Sequence, residues 1–200
     1  MNVRLQYDLD FTAGVYIHGE LHFNSYSVVL QLLTQTPNSQ NSNIALERVK
    51  AFVYYELGST VLLGPNDYDK ADMLSVLGIN ITTLPDEPVD QIVGLMLYTK
   101  LNAVMEDRMV ITSLDIQSTM GDCVWYLHSE GDAVGPFARD GWWSKSGRQH
   151  NDLDADTIND NVVKVTSTGW TDWDLDWPDA QTANNGNTVL FASFSRNENQ

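Results

Sequence analysis

A single cysteine, Cys123, stands in the 200-residue chain, so no disulfide can close within it, as in a protein of a reducing compartment. Basic residues are scarce, 11 Lys and Arg against 27 Asp and Glu. The resulting net charge of −16 opposes binding to phosphate backbones and to anionic membranes. No long hydrophobic run is present. The most apolar stretch, Val89 to Met105, is interrupted by Asp90, Gln91, Lys100 and Asn102 and is too short and too polar to span a bilayer. The opening residues, Met1 to Asp8, alternate apolar with polar and lack the continuous apolar segment of a secretory leader, which predicts a soluble protein without one. Signatures of common catalysis are missing too: no P-loop, no Gly-x-Gly-x-x-Gly, no Gly-x-Ser-x-Gly and no Cys-x-x-Cys.

What is there reads as one α+β domain. Val3, Leu5, Tyr7, Leu9 and Phe11 alternate with polar residues, which predicts a strand with one buried face. A turn at Thr12-Ala13-Gly14 would return the chain along Val15 to Phe23 as an antiparallel hairpin. Val28, Val29, Leu32 and Leu33 suit a short helix capped by Asn24 or Ser25, followed by a loop from Thr34 to Asn43. A second helix carries Ile44, Val49, Phe52, Val53 and Leu57 up to Gly58. Short strands are expected at Thr60 to Leu63 and Ile79 to Leu84, with a helix over Asp69 to Leu77 between them.

The strongest periodicity follows. Asp86 can cap a helix, Pro88 suits its first turn, and Val89, Ile92, Val93, Met96, Leu97, Leu101, Val104 and Met105 recur at steps of three and four. Met109 to Ile116 and Cys123 to His128 read as strands of a mixed or antiparallel sheet. Residues 1–143 form the expected α+β core. Residues 144–200 form an acidic, Trp-rich, loop-rich extension with strands at Val162 to Thr168 and Thr188 to Phe194.

Four groups of residues could carry chemistry. His18, Glu20 and His22 would share one strand face, with Asp8 and Asp10 across the hairpin; two imidazoles and a carboxylate can hold a divalent metal and leave coordination positions open. The alternative is a solvated face of paired side chains. Asp152, Asp154, Asp156 and Asp160 have the alternating oxygens of a calcium loop but lack its glycine and closing glutamate, so an acidic surface loop competes with a calcium site. Arg139, Trp142, Trp143, Lys145 and Arg148 combine cations with aromatic faces, which suits a phosphate, a base or a sugar; a rim of structural aromatics is the competing reading. Trp170, Trp173 and Trp177 fit a sugar platform or, better, core anchors for a segment poor in other apolar residues.

Leu84 to Thr112 (LPDEPVDQIVGLMLYTKLNAVMEDRMVIT) and Gly121 to Trp143 (GDCVWYLHSEGDAVGPFARDGWW) resemble uncharacterised proteins of T4-like marine phages, notably cyanophages. The resemblance implies a phage-encoded protein acting in the cytoplasm of an infected bacterium or built into the virion, and it brings no active-site residues with it. Charge, missing motifs and resemblance together favour a non-enzymatic protein that binds a partner with a basic surface, including the variant of a nucleic-acid-mimicking decoy. A metal-binding domain or metal-dependent enzyme using His18, Glu20 and His22 is the alternative, and a virion component is a third.

Overall fold

The computed structural model describes residues 3–122, 124–148, 150 and 169–178. It is an α+β arrangement built on a six-stranded mixed sheet of order β4-β3-β1-β2-β5-β6. Two long strands dominate, β1 (Arg4–Ile17) and β2 (Glu20–Thr34), paired antiparallel over their whole length. The remaining strands are β3 (Val61–Leu63), β4 (Ile81–Thr83), β5 (Met109–Ser118) and β6 (Tyr126–Ser129). β3 and β4 run parallel to β1, whereas β5 and β6 extend the other side antiparallel.

The hairpin turn lies at His18-Gly19, and Thr12-Ala13-Gly14 is strand interior. Both turn residues have positive φ, 54° and 84°, as a two-residue loop between right-twisted strands requires. Glycine adopts that region freely and histidine is among the residues that tolerate it. Gly14 has a different role. A Cβ there would come within 2.8 Å of Val61 Cγ2, so its bare backbone lets β3 approach β1. The helix expected over Val28 to Leu33 is the far half of β2. Tyr26, Val28, Leu30 and Leu32 are buried at every second position while Val29, Gln31 and Leu33 are half-buried on the other side. Apolar residues on both sides of a strand imitate helical spacing, and the two β-branched valines tip the balance to the sheet.

One face of the sheet carries the main core. α1 (Ser39–Ala51), capped by the Asn38 side chain on Gln40 N, runs directly into a π-helical turn at Phe52–Leu57, closed by Gly58 N donating to Val53 O at 2.8 Å. α3 (Asp90–Met105) crosses β5 on the same face. It carries the spacing expected from Ile92 to Met105, but it begins at Asp90 with Val89 at the N-cap, so Asp86 does not cap it and Pro88 precedes it; more of it is buried than a surface helix allows, Lys100 included. α2 (Ala71–Val76) lies on the opposite face at the β3–β4 end, where Ala71 and Leu74 pack with Val61, Leu63 and Ile81. The sheet is therefore covered on both sides at one end. The strands expected at Val162 to Thr168 and Thr188 to Phe194 lie outside the described residues.

Candidate functional site

Residues directly opposite one another in the β1–β2–β5 ladder share a face. The rows Gln6–Gln31–Ser113, Asp8–Val29–Asp115 and Asp10–Ser27–Gln117 stand on the side away from α1 and α3. Arg4, Gln6, Asp8, Asp10 and Thr12 are exposed, so this part of the sheet is open among the described residues. The polar groups hydrogen-bond to one another: Gln6 Nε2 donates to Asp8 Oδ1 at 2.9 Å, Gln31 Nε2 to Gln6 Oε1 at 3.1 Å, and Ser27 Oγ to Asp10 Oδ1 at 2.7 Å. Asp8 and Asp115 flank Val29 in one row, two strand spacings or roughly 10 Å apart. A flat, pre-ordered array of acceptors and carboxylates results.

Toward the hairpin tip the same face turns apolar. Phe23 opposes Gly14 and Leu21 opposes Tyr16. Phe23 is 80% exposed and Leu21 40%. Together with Thr12, Gly14, Val61 and Ile79 they line a groove of about 250 Å³ beside the small core under α2. Alternation carried across Gly19 puts Leu21 and Phe23 on the side of Val15. The two-residue turn instead reverses the phase, so the buried positions are odd in β1 and even in β2. The His18-Gly19 dipeptide was the sequence signal for that reversal.

The same reversal separates the expected metal ligands. His18 is in the turn itself, and Glu20 and His22 follow on β2, with His22 Nε2 3.6 Å from Glu20 Oε2. Asp8 and Asp10 oppose Val29 and Ser27, on the other face and several rows away from His22, which opposes Val15. Among the described residues no three His, Cys, Asp or Glu side chains converge as a metal site. Asp152, Asp154, Asp156 and Asp160 lie outside the described residues.

The tryptophan-rich loop has a structural occupation. Trp142 is fully buried and donates its Nε1 to Thr83 O at 2.9 Å, while Trp143 Nε1 reaches Arg139 O at 2.9 Å and its ring meets Phe137 edge-on. Arg139 is exposed. Lys100 Nζ, on a side chain with no exposed surface, donates to Trp142 O, Lys145 O and Gly147 O at 3.0, 2.7 and 2.7 Å. A cation from α3 thus folds the loop around itself, and Lys145 contributes its carbonyl while its side chain stays in solvent. Arg148 stacks 4.4 Å from the Trp173 ring centre and donates its Nε to Glu56 Oε1 at 2.7 Å. Burial alone would push the Glu56 carboxyl up, but hydrogen bonds from His150 and Arg148 and their charge hold it below its ordinary value.

Trp170 and Trp177 are core anchors. Both rings sandwich the Arg48 guanidinium, at 4.9 and 3.9 Å. Arg48 is 2% exposed and donates to Leu175 O at 2.8 Å, Val104 O at 3.2 Å and Glu106 Oε1 at 2.7 Å. Desolvation lowers its pKa and Glu106 opposes that shift.

No protein-family model matches the chain, and no curated relative matches it. Among solved structures, an uncharacterised protein of Wolinella succinogenes is similar at 11% identity and a TM-score of 0.49, over 65% of this chain and 99% of that one. A catalytic-residue mutant of 6-pyruvoyltetrahydropterin synthase from Plasmodium vivax is similar at 15% identity and a TM-score of 0.41, over 64% and 97%. The α+β class rests on the chain's own sheet and helices. No helix among the described residues is long and apolar enough to cross a membrane.

Proposed function

We propose that the chain is a non-catalytic binding module that docks a protein partner with a basic surface on the open face of β1, β2 and β5. The observation that carries this reading is Phe23, an aromatic ring left 80% exposed at the mouth of an apolar groove, continuous with the carboxylates Asp8, Asp10 and Asp115. Protein interfaces concentrate their energy in such aromatic anchors and surround them with polar groups. The net charge of −16 selects a partner rich in Lys and Arg and speeds its encounter. Carboxylates come from β1, α1, the turn before α2, the loop before α3 and β5 instead of forming one stripe, which favours a protein docking site over imitation of nucleic acid. The likeness of Leu84 to Thr112 and Gly121 to Trp143 to proteins of T4-like marine phages supports placing this role inside an infected bacterium.

The test is recovery of a partner by the tagged full chain from a bacterial lysate, cyanobacterial first, at low and high salt. The expected result is one stoichiometric basic protein whose recovery falls as salt rises. Phe23→Ser should weaken its binding tenfold or more, and Asp8→Asn, Asp10→Asn and Asp115→Asn together should make recovery less sensitive to salt. Unchanged capture by both variants, or no partner at either salt, overturns the proposal.

A further inference from the structure

Every second residue of β2 stands on the open face, and the chemistry of these rows changes from the hairpin tip inward. Phe23 comes first, 80% exposed beside the groove of about 250 Å³ that Leu21, Val61 and Ile79 also line. That volume exceeds the roughly 150 Å³ that accepts benzene, so it holds one large apolar side chain. Ser25 follows, its hydroxyl 3.1 Å from Thr12 Oγ1 across the hairpin, a low polar step without charge. Ser27 is next and donates to Asp10 Oδ1 at 2.7 Å, which holds that carboxylate beside the row. Val29 is fourth and half-buried, with Asp8 beside it on β1 and Asp115 beside it on β5. Beyond it come Gln6 with Gln31 and then Arg4, so the anionic stretch ends at the Val29 row.

Same-side residues of a strand recur about 6.8 Å apart, which puts Ser27 about 14 Å and Val29 about 20 Å from Phe23. An extended chain laid along β2 has the same repeat, and its alternate side chains meet these rows one for one. A helix, with about 5.4 Å per turn, is out of step by the Ser27 row. We infer that the partner presents an extended segment bearing a large apolar side chain, a small residue two positions away, and Lys or Arg four and six positions away. The apolar side chain enters the groove against Phe23. The first cation meets Asp10, and the second lays its aliphatic stem on Val29 with its charge between Asp8 and Asp115. Exposed charge pairs contribute little each, so the anchor supplies affinity and the carboxylate rows supply register. This motif rests on the docking of a basic protein proposed above and adds the segment that is recognised.

The probes are end-capped peptides titrated into the nitrogen-15 labelled full chain and read by amide NMR. Trp-Ser-Ser-Ser-Lys-Ser-Lys and its reversed sequence carry the motif in the two chain directions, and Trp-Lys-Lys-Ser-Ser-Ser-Ser has the same composition with the spacing broken. The better motif peptide should shift the amides of Ser25, Ser27 and Val29 saturably, and the permuted peptide should bind about fivefold or more weakly. Phe23→Ser should weaken the motif peptide about tenfold, and Asp10→Asn should narrow the gap between motif and permuted peptides. Both variants change exposed side chains and keep the reporting amides. Equal affinity for motif and permuted peptides, or no saturable shift at millimolar peptide, overturns the motif. A chain that sediments as a dimer and becomes monomeric in Phe23→Ser would seat a second copy in the groove and overturn it too. Lysate capture that weakens in Phe23→Ser while the peptides bind alike would leave the docking reading standing and remove the motif alone.

Discussion

The two faces of the β1–β2 hairpin treat charge in opposite ways. On the helix side Arg48 and Lys100 are removed from water, and every donor assigned to them meets a carbonyl, a carboxylate or an aromatic face. On the open side Asp8 and Asp10 stay in solvent and accept hydrogen bonds from the neighbouring Gln6 and Ser27. A buried ion strengthens a fold only while its partners remain, whereas a solvated one contributes little to stability and is free to meet another molecule. The contrast teaches where to look for function in a chain so acidic: in the charges the fold does not use.

The largest expected effect is on the enclosed side. Arg48→Ala removes the cation between Trp170 and Trp177 and leaves Glu106 without it, which should lower stability by about 3–5 kcal/mol in urea unfolding. Arg48→Lys should recover only part of that loss, because an ammonium cannot stack between two rings or reach three acceptors in a plane. Equal stability of Arg48→Ala and the parent chain would erase the distinction between the faces.

A finer comparison uses two adjacent valines. Val28 is buried on the helix side and Val29 half-buried on the open side, and threonine matches the shape of both. Val28→Thr should cost about 1–3 kcal/mol by burying a hydroxyl, and Val29→Thr should stay within about 0.5 kcal/mol. Similar values for the two would mean that the open face is covered in solution.

Much of this architecture was legible in the sequence. α3 announced itself through the spacing of Ile92, Val93, Met96, Leu97 and Leu101, and β5 through its alternation, although α3 is buried on more than the face that spacing marks. The course of β2 was hidden by apolar residues on both of its sides, and the turn by its unusual His-Gly pair. That single misplacement also misassigned the candidate metal face, since shifting a strand by one residue exchanges its two sides. The loop at Trp142 and Trp143 looked like a ligand site because no local pattern reveals Lys100 arriving from a helix more than forty residues earlier. Phe23 was visible as an apolar residue, but its exposure depends on the register and not on its type.

The smallest expected effect concerns a proton on the enclosed side. Glu56, in the π-helical turn, meets Arg148 and His150, and their hydrogen bonds and charges outweigh its burial to keep its pKa low. The folded protein therefore releases this proton more readily than the unfolded chain does. The stabilisation is complete at pH values above about 4.5, the ordinary value, and is lost as pH falls through the lower folded value. Urea unfolding from neutral to acid pH should show stability declining in that window, and Glu56→Gln should flatten the decline because glutamine has no proton to gain. A slope unchanged by Glu56→Gln would assign the acid sensitivity to other carboxylates and leave the Arg148–Glu56 contact a packing feature alone.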